Sequence, residues 1–120
     1  MIIAVDFDGT CVDHRFPEVG PSIEGAVGVL QELVTRGHKL VLWTMRSGPH
    51  LADAVKWFGE NRIPLWGIQR NPEQDSWTTS PKAYAQLYID DAAFGAPLVQ
   101  LSGMKRPGID WLKVDQVLLQ

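Results

Sequence analysis

Residues 1–13 read "MIIAVDFDGTCVD", and the fold turns on how this stretch is understood. Met1 to Val5 are apolar without alternation, the pattern of a strand buried on both faces of a parallel sheet. The pattern returns in "KLVLWT" at 39–44 and "AQLYID" at 85–90, with shorter candidates in "LWGIQ" at 65–69 and "PLVQL" at 97–101. Helical stretches lie between them. Ser22 is placed to cap a helix whose apolar positions Ile23, Ala26, Val27, Leu30, Leu33 and Val34 follow i, i+3, i+4 spacing and which Gly37 closes. A second helix is expected over 50–61, with Leu51, Ala54, Val55 and Phe58 on one stripe. Pro107 is placed to start a third, carrying Ile109, Leu112, Val117 and Leu118. This alternation predicts an α/β chain: a parallel sheet with helices on both faces, in three layers.

The composition bounds the function. At 120 residues, with 45% hydrophobic and 21% charged side chains, the chain reads as one globular domain over 1–120. No apolar run approaches the roughly 18 residues of a membrane span. "MIIAVDFDG" lacks the basic start and long apolar stretch of a signal peptide, so a cytoplasmic protein without a membrane partner is expected. A net charge of -3 gives no electrostatic reason to expect nucleic acid. Cys11, the single cysteine, reads as a small buried thiol.

Ligands of such sheets gather at the carboxyl ends of the strands. Asp6, Thr44 and Asp90 each stand at the end of a predicted strand, and the long loops Phe7–Pro21 and Arg70–Pro81 would open on the same edge. Asp8-Gly9 alone is an ordinary turn pair. The company it keeps changes that reading. A carboxylate at the end of a buried strand is costly to desolvate unless a cation compensates it, and a second acidic pair, Asp90 and Asp91, follows another such strand. Hard oxygen donors of this kind suit Mg²⁺.

"DFDGT" after an N-terminal strand, a Thr ending "VLWT", Lys82 and "IDD" at 89–91 resemble, in order, the four signature motifs of the haloacid dehalogenase superfamily. The stretches "DFDGTCVDHRFPEVG" and "LWTMRSG" are similar to a small branch that lacks a cap domain. The resemblance implies a Rossmann-like sheet of about five parallel strands in the order 5-4-1-2-3, and a phosphatase acting on a small phosphorylated metabolite. It implies Asp6 as nucleophile, forming an aspartyl-phosphate, and Asp8 as the group that protonates the leaving oxygen and then activates water. An alkoxide needs that proton and a halide does not, so Asp8 argues for phosphoryl transfer over dehalogenation. Mg²⁺ would be held by Asp6, the Asp8 carbonyl and Asp90 or Asp91. Thr44 and Lys82 would hold the transferring phosphoryl group, with the main-chain N–H groups of Phe7, Gly9, Thr10 and Met45 completing a cradle.

The gap from Cys11 to Pro21 has room for a flap but not a cap, so the site is expected to be open or covered by a neighbouring copy in a homo-oligomer. His14 and Arg15 on the flap, and Arg46 two residues after Thr44, are candidates to meet substrate, the arginines through a second anionic group. Each has an ordinary surface role as its alternative. Trp43, Trp57 and Trp66 read as core, and Trp77 as lining a site mouth or a subunit contact. Two other readings stand beside the phosphatase. One is a silent module that binds a phosphorylated ligand. The other is a receiver-type signalling domain, whose adjacent acidic pair normally comes first, whereas here D-x-D comes first and the adjacent pair last. A mutase would normally need a cap to exclude water.

Overall fold

β1 (Ile2–Val5) runs through the middle of the sheet because all of its neighbours can be apolar: Ile3, Ala4 and Val5 are buried. The computed structural model describes residues 1–120. β1 pairs in parallel with β2 (Lys39–Leu42) on one side and with β4 (Leu87–Ile89) on the other, and β3 (Gly67–Ile68) pairs in parallel outside β2. The sheet order is therefore β3-β2-β1-β4. The segment expected to supply a fifth parallel strand instead forms β5 (Leu98–Val99), which pairs antiparallel with β6 (Gly108–Ile109) in a separate hairpin.

Three helices connect these strands: α1 (Ala26–Thr35), α2 (Gly48–Glu60) and α3 (Trp111–Leu118). α1 starts later than Ser22 suggested. Gly25 precedes it at φ +89°, where a Cβ would stand 2.9 Å from the Cβ of Trp111, while the Ser22 hydroxyl accepts from Trp57 Nε1 at 3.0 Å. α3 starts at Trp111 rather than near Pro107, capped by Asp110, whose carboxylate accepts from the Lys113 N–H. Its buried residues are Trp111 and Val114, and the expected Leu112 and Val117 are exposed.

Successive strand residues face opposite sides of a sheet, and the core shows which side the helices take. Ile3, Val5, Leu40 and Leu42 share one apolar cluster with Leu30 and Leu33 of α1, Trp57 and Phe58 of α2, and Trp111 of α3. Ala4 and Val41, in register between them, are equally buried but lie outside that cluster. All three helices thus cover one face, which corrects the expected three layers. The other face is covered by the segment 70–86. There Arg70 and Pro72 close over Gly67, and the buried Gln74 side chain donates to the Ser80 and Lys82 carbonyls and accepts from the Tyr84 N–H. A 3₁₀ turn at Gln74–Ser76 is its one helical piece. Of the tryptophans expected in the core, Trp57 is buried and Trp43 and Trp66 are half-buried; Trp77, expected outside the core, is exposed against Tyr84. No helix is long and apolar enough to cross a membrane.

Candidate active site

β1 ends at Val5 and delivers Asp6 to the carboxyl edge of the sheet. The Asp6 N–H donates to the Ile89 carbonyl at 3.0 Å, which brings the ends of β1 and β4 together. The loop then folds on itself: the Thr10 and Cys11 N–H groups donate to the Phe7 carbonyl and the Gly9 N–H to the Val12 carbonyl. Those N–H groups of Gly9 and Thr10 are therefore occupied and not presented to a phosphate, as the sequence suggested. Gly9 serves another purpose. It sits at φ +83°, and a Cβ there would lie 2.2 Å from an Asp91 carboxylate oxygen. Its missing side chain admits Asp91 to the site. Thr10 is fully buried; its hydroxyl donates to Asp6 Oδ2 at 2.9 Å and accepts from the Asp91 N–H at 3.2 Å. Thr10 thus orients Asp6 and joins the two acidic loops, rather than binding phosphate.

Carboxylate oxygens of Asp6, Asp90 and Asp91 lie within 4.8 Å of one another. Burial, then the charge of Asp90, pushes the Asp6 carboxyl up to about 8 from 3.8. A hydrogen bond shared with Asp91 adds to the rise, and the Thr10 hydroxyl and Phe7 N–H oppose it. Asp91 is raised as well, chiefly by burial, with Arg106 pulling it back. Three half-buried carboxylates this close repel one another unless protons or a cation intervene. An all-oxygen donor set fits a hard divalent cation such as Mg²⁺. Cys11, buried beneath the loop, donates to the Asp6 carbonyl, and burial pushes its thiol far up, ahead of the charges of Asp6 and Asp8. The expectation of a small buried thiol holds.

Asp8 has the opposite surroundings. Arg46, itself 1% exposed, grips both of its oxygens at 2.8 Å. The same guanidinium donates to the carbonyls of Pro17, Glu18 and His50 and lies 5.1 Å from the ring centres of Phe7 and Phe16. Guanidinium has five N–H groups, and all five are placed. Arg46 has no donor left for a substrate, which corrects its reading as an anion-binding residue. It fixes Asp8, the flap and the start of α2 instead.

A cleft of about 510 Å³ opens over these groups, lined among others by Asp6, Asp8, Thr44, Asp90, Asp91 and Arg106. His14, Phe16 and the almost fully exposed Met45 stand at it too. The Thr44 hydroxyl accepts from the Arg46 N–H, which leaves its own proton to donate, while the Met45 N–H has no backbone partner. The structure brings these expected residues together at the cleft. Two expected cations lie elsewhere. Arg15 pairs with Asp13 and the Gly103 carbonyl and lies outside the cleft, tying the flap to the β5–β6 hairpin. Lys82 is exposed, with its ammonium 5.1 Å over the Tyr88 ring, and is not part of the cleft wall. Arg106 escaped the sequence reading. The available signal was a basic pair, Lys105-Arg106, before a Pro-Gly turn and beyond the carboxyl end of a predicted strand.

Fold and cleft define the class first: an α/β protein with one parallel sheet and an acidic cleft at the carboxyl ends of the adjacent strands β1 and β4. A solved conserved protein from Bacteroides thetaiotaomicron is 36% identical over 95% of this chain and 85% of its own, with a TM-score of 0.78, and the chain belongs to the same family. No protein-family model and no curated protein matches the sequence.

Proposed function

We propose that this chain is a divalent-cation-dependent phosphomonoesterase of the haloacid dehalogenase type, working through an aspartyl-phosphate at Asp6. The observation that carries the reading is the convergence of Asp6, at the end of the central strand, with Asp90 and Asp91 within 4.8 Å, beside a second aspartate held in fixed orientation.

In the first half-reaction an Asp6 carboxylate oxygen bonds to phosphorus as the bond to the leaving oxygen breaks, and Asp8 gives that oxygen its proton. In the second, water attacks phosphorus and Asp8 takes its proton. The acyl-phosphate bond breaks, releasing phosphate and restoring Asp6. Thr10 aims the nucleophile throughout, and the Thr44 hydroxyl donates to a phosphoryl oxygen. A bound Mg²⁺ would be held by Asp6, Asp90 and Asp91 and would neutralise charge on the phosphoryl group. Each carboxylate oxygen has two lone pairs, so the grip of Arg46 leaves Asp8 one on each oxygen for proton transfer.

Release of phosphate from a panel of phosphomonoesters, with Mg²⁺ and with chelator, tests this reading. Metal-dependent turnover that falls at least about 1,000-fold in Asp6→Asn is expected. Unchanged turnover in Asp6→Asn would remove the covalent mechanism. The saturated Arg46–Asp8 pair favours a second reading, a module that binds a phosphorylated ligand without turning it over. Phosphate binding with no release from any ester would select that one.

A further inference from the structure

We propose that Arg106 is the residue that grips the anionic phosphoryl group of the ligand, an inference that rests on the phospho-ligand reading of the cleft. The argument is one of elimination among cations. Arg46 has every N–H committed, Arg15 is held by Asp13 and Gly103 away from the cleft, and Lys82 lies over Tyr88. Arg106 stands in the cleft wall with Asp6, Asp90 and Asp91, exposed, and takes part in none of the chain's four ion pairs.

Its backbone, by contrast, is fixed from both sides. The Asp13 carboxylate accepts from the main-chain N–H of the preceding residue, Lys105, with both oxygens, and two residues on, Gly108 packs against the Gly9 carbonyl, where a Cβ would come within 2.9 Å. The next N–H, of Ile109, donates to that same carbonyl at 3.1 Å. A free guanidinium on an anchored backbone loses only side-chain freedom on binding, and its planar fork matches two oxygens of a phosphate. Charge balance points the same way. With Asp8 offset by Arg46 and the remaining three carboxylates facing a divalent cation, Arg106 is the side-chain cation of the wall left to offset an arriving dianion.

Calorimetric titration of the Mg²⁺-loaded protein with inorganic phosphate is the test. Arg106→Ala is expected to weaken phosphate binding about 10-fold or more and Arg106→Lys less, whereas Lys82→Ala stays within about 2-fold. The exposed Arg106 side chain makes no ion pair and touches Asp91 only through its charge, so thermal unfolding of the variant should stay close to wild type. Unchanged affinity in Arg106→Ala overturns the inference while leaving turnover, and hence the phosphatase reading, untouched. Affinity that depends on Arg106 in a protein that hydrolyses no ester supports the inference and removes the phosphatase. Wild type that binds no phosphate removes both.

Discussion

Two halves of one loop face two different problems. On the Asp6 side, three carboxylates are crowded together, and burial with the neighbouring charge raises Asp6 and Asp91. On the Asp8 side, a single carboxylate meets a buried arginine with every donor used. Only Phe7 separates Asp6 from Asp8 in the chain. The first half is left unfinished by the chain's own ion pairs, none of which includes Asp6, Asp90 or Asp91, and the second is finished by one. Neighbouring carboxylates can thus be left open to charge from solution or closed off from it, according to whether an arginine is folded against them.

Breaking the finished half should have the largest effect. Arg46→Ala leaves Asp8 and three backbone carbonyls without their donor, and loss of a partner from a buried ion pair costs about 3–5 kcal/mol. Urea unfolding would measure it; a cost under about 1 kcal/mol would mean that the pair is incidental.

The unfinished half should respond to pH. Asp6 holds its proton more tightly folded than unfolded, so its contribution to stability is fully present below 3.8 and is lost as pH rises through about 8. Chelated protein should therefore melt at progressively lower temperature between pH 5 and 9. Mg²⁺ should remove most of that decline, and Asp6→Asn should flatten it without metal. A flat melting profile for chelated wild type would mean that the carboxylates do not strain one another.

The smallest effect expected lies beneath both halves. Trp111 Nε1 donates to the Thr10 carbonyl at 2.7 Å in a fully buried bond. Trp111→Phe should cost about 1–3 kcal/mol, since a buried acceptor loses its donor, and should weaken Mg²⁺ binding by loosening the loop that carries Asp6. A loss of stability with unchanged Mg²⁺ affinity would show that the two halves stand without this support.

Much of this was legible in the first 13 residues. An unbroken apolar run identified β1 as the central strand, and carboxylates placed directly after it and after "YI" located the rim of the site. Local pattern carries such information because strand burial and turn chemistry are local. The destination of Arg46 was not legible: its partner Asp8 is 38 positions away, and an arginine after a strand looks the same whether it faces solvent or a buried aspartate. Gly9 was read as part of a phosphate cradle, whereas its missing side chain makes room for Asp91, far along the sequence. The 97–118 region misled for a physical reason too. Pro107 is a good helix starter, but Asp110 is a better cap, and the close approach to the Gly9 carbonyl holds Gly108 and Ile109 in a strand.

The hairpin and the start of α3 support the Asp6 loop at three points: Lys105 on Asp13, Ile109 on Gly9, and Trp111 on Thr10. Synthesis runs from the amino end at roughly 5–20 residues per second. The loop therefore leaves the ribosome many seconds before residues 105–111 can brace it. During that interval the nascent chain carries Asp6 and Asp8 on a turn that lacks these three braces.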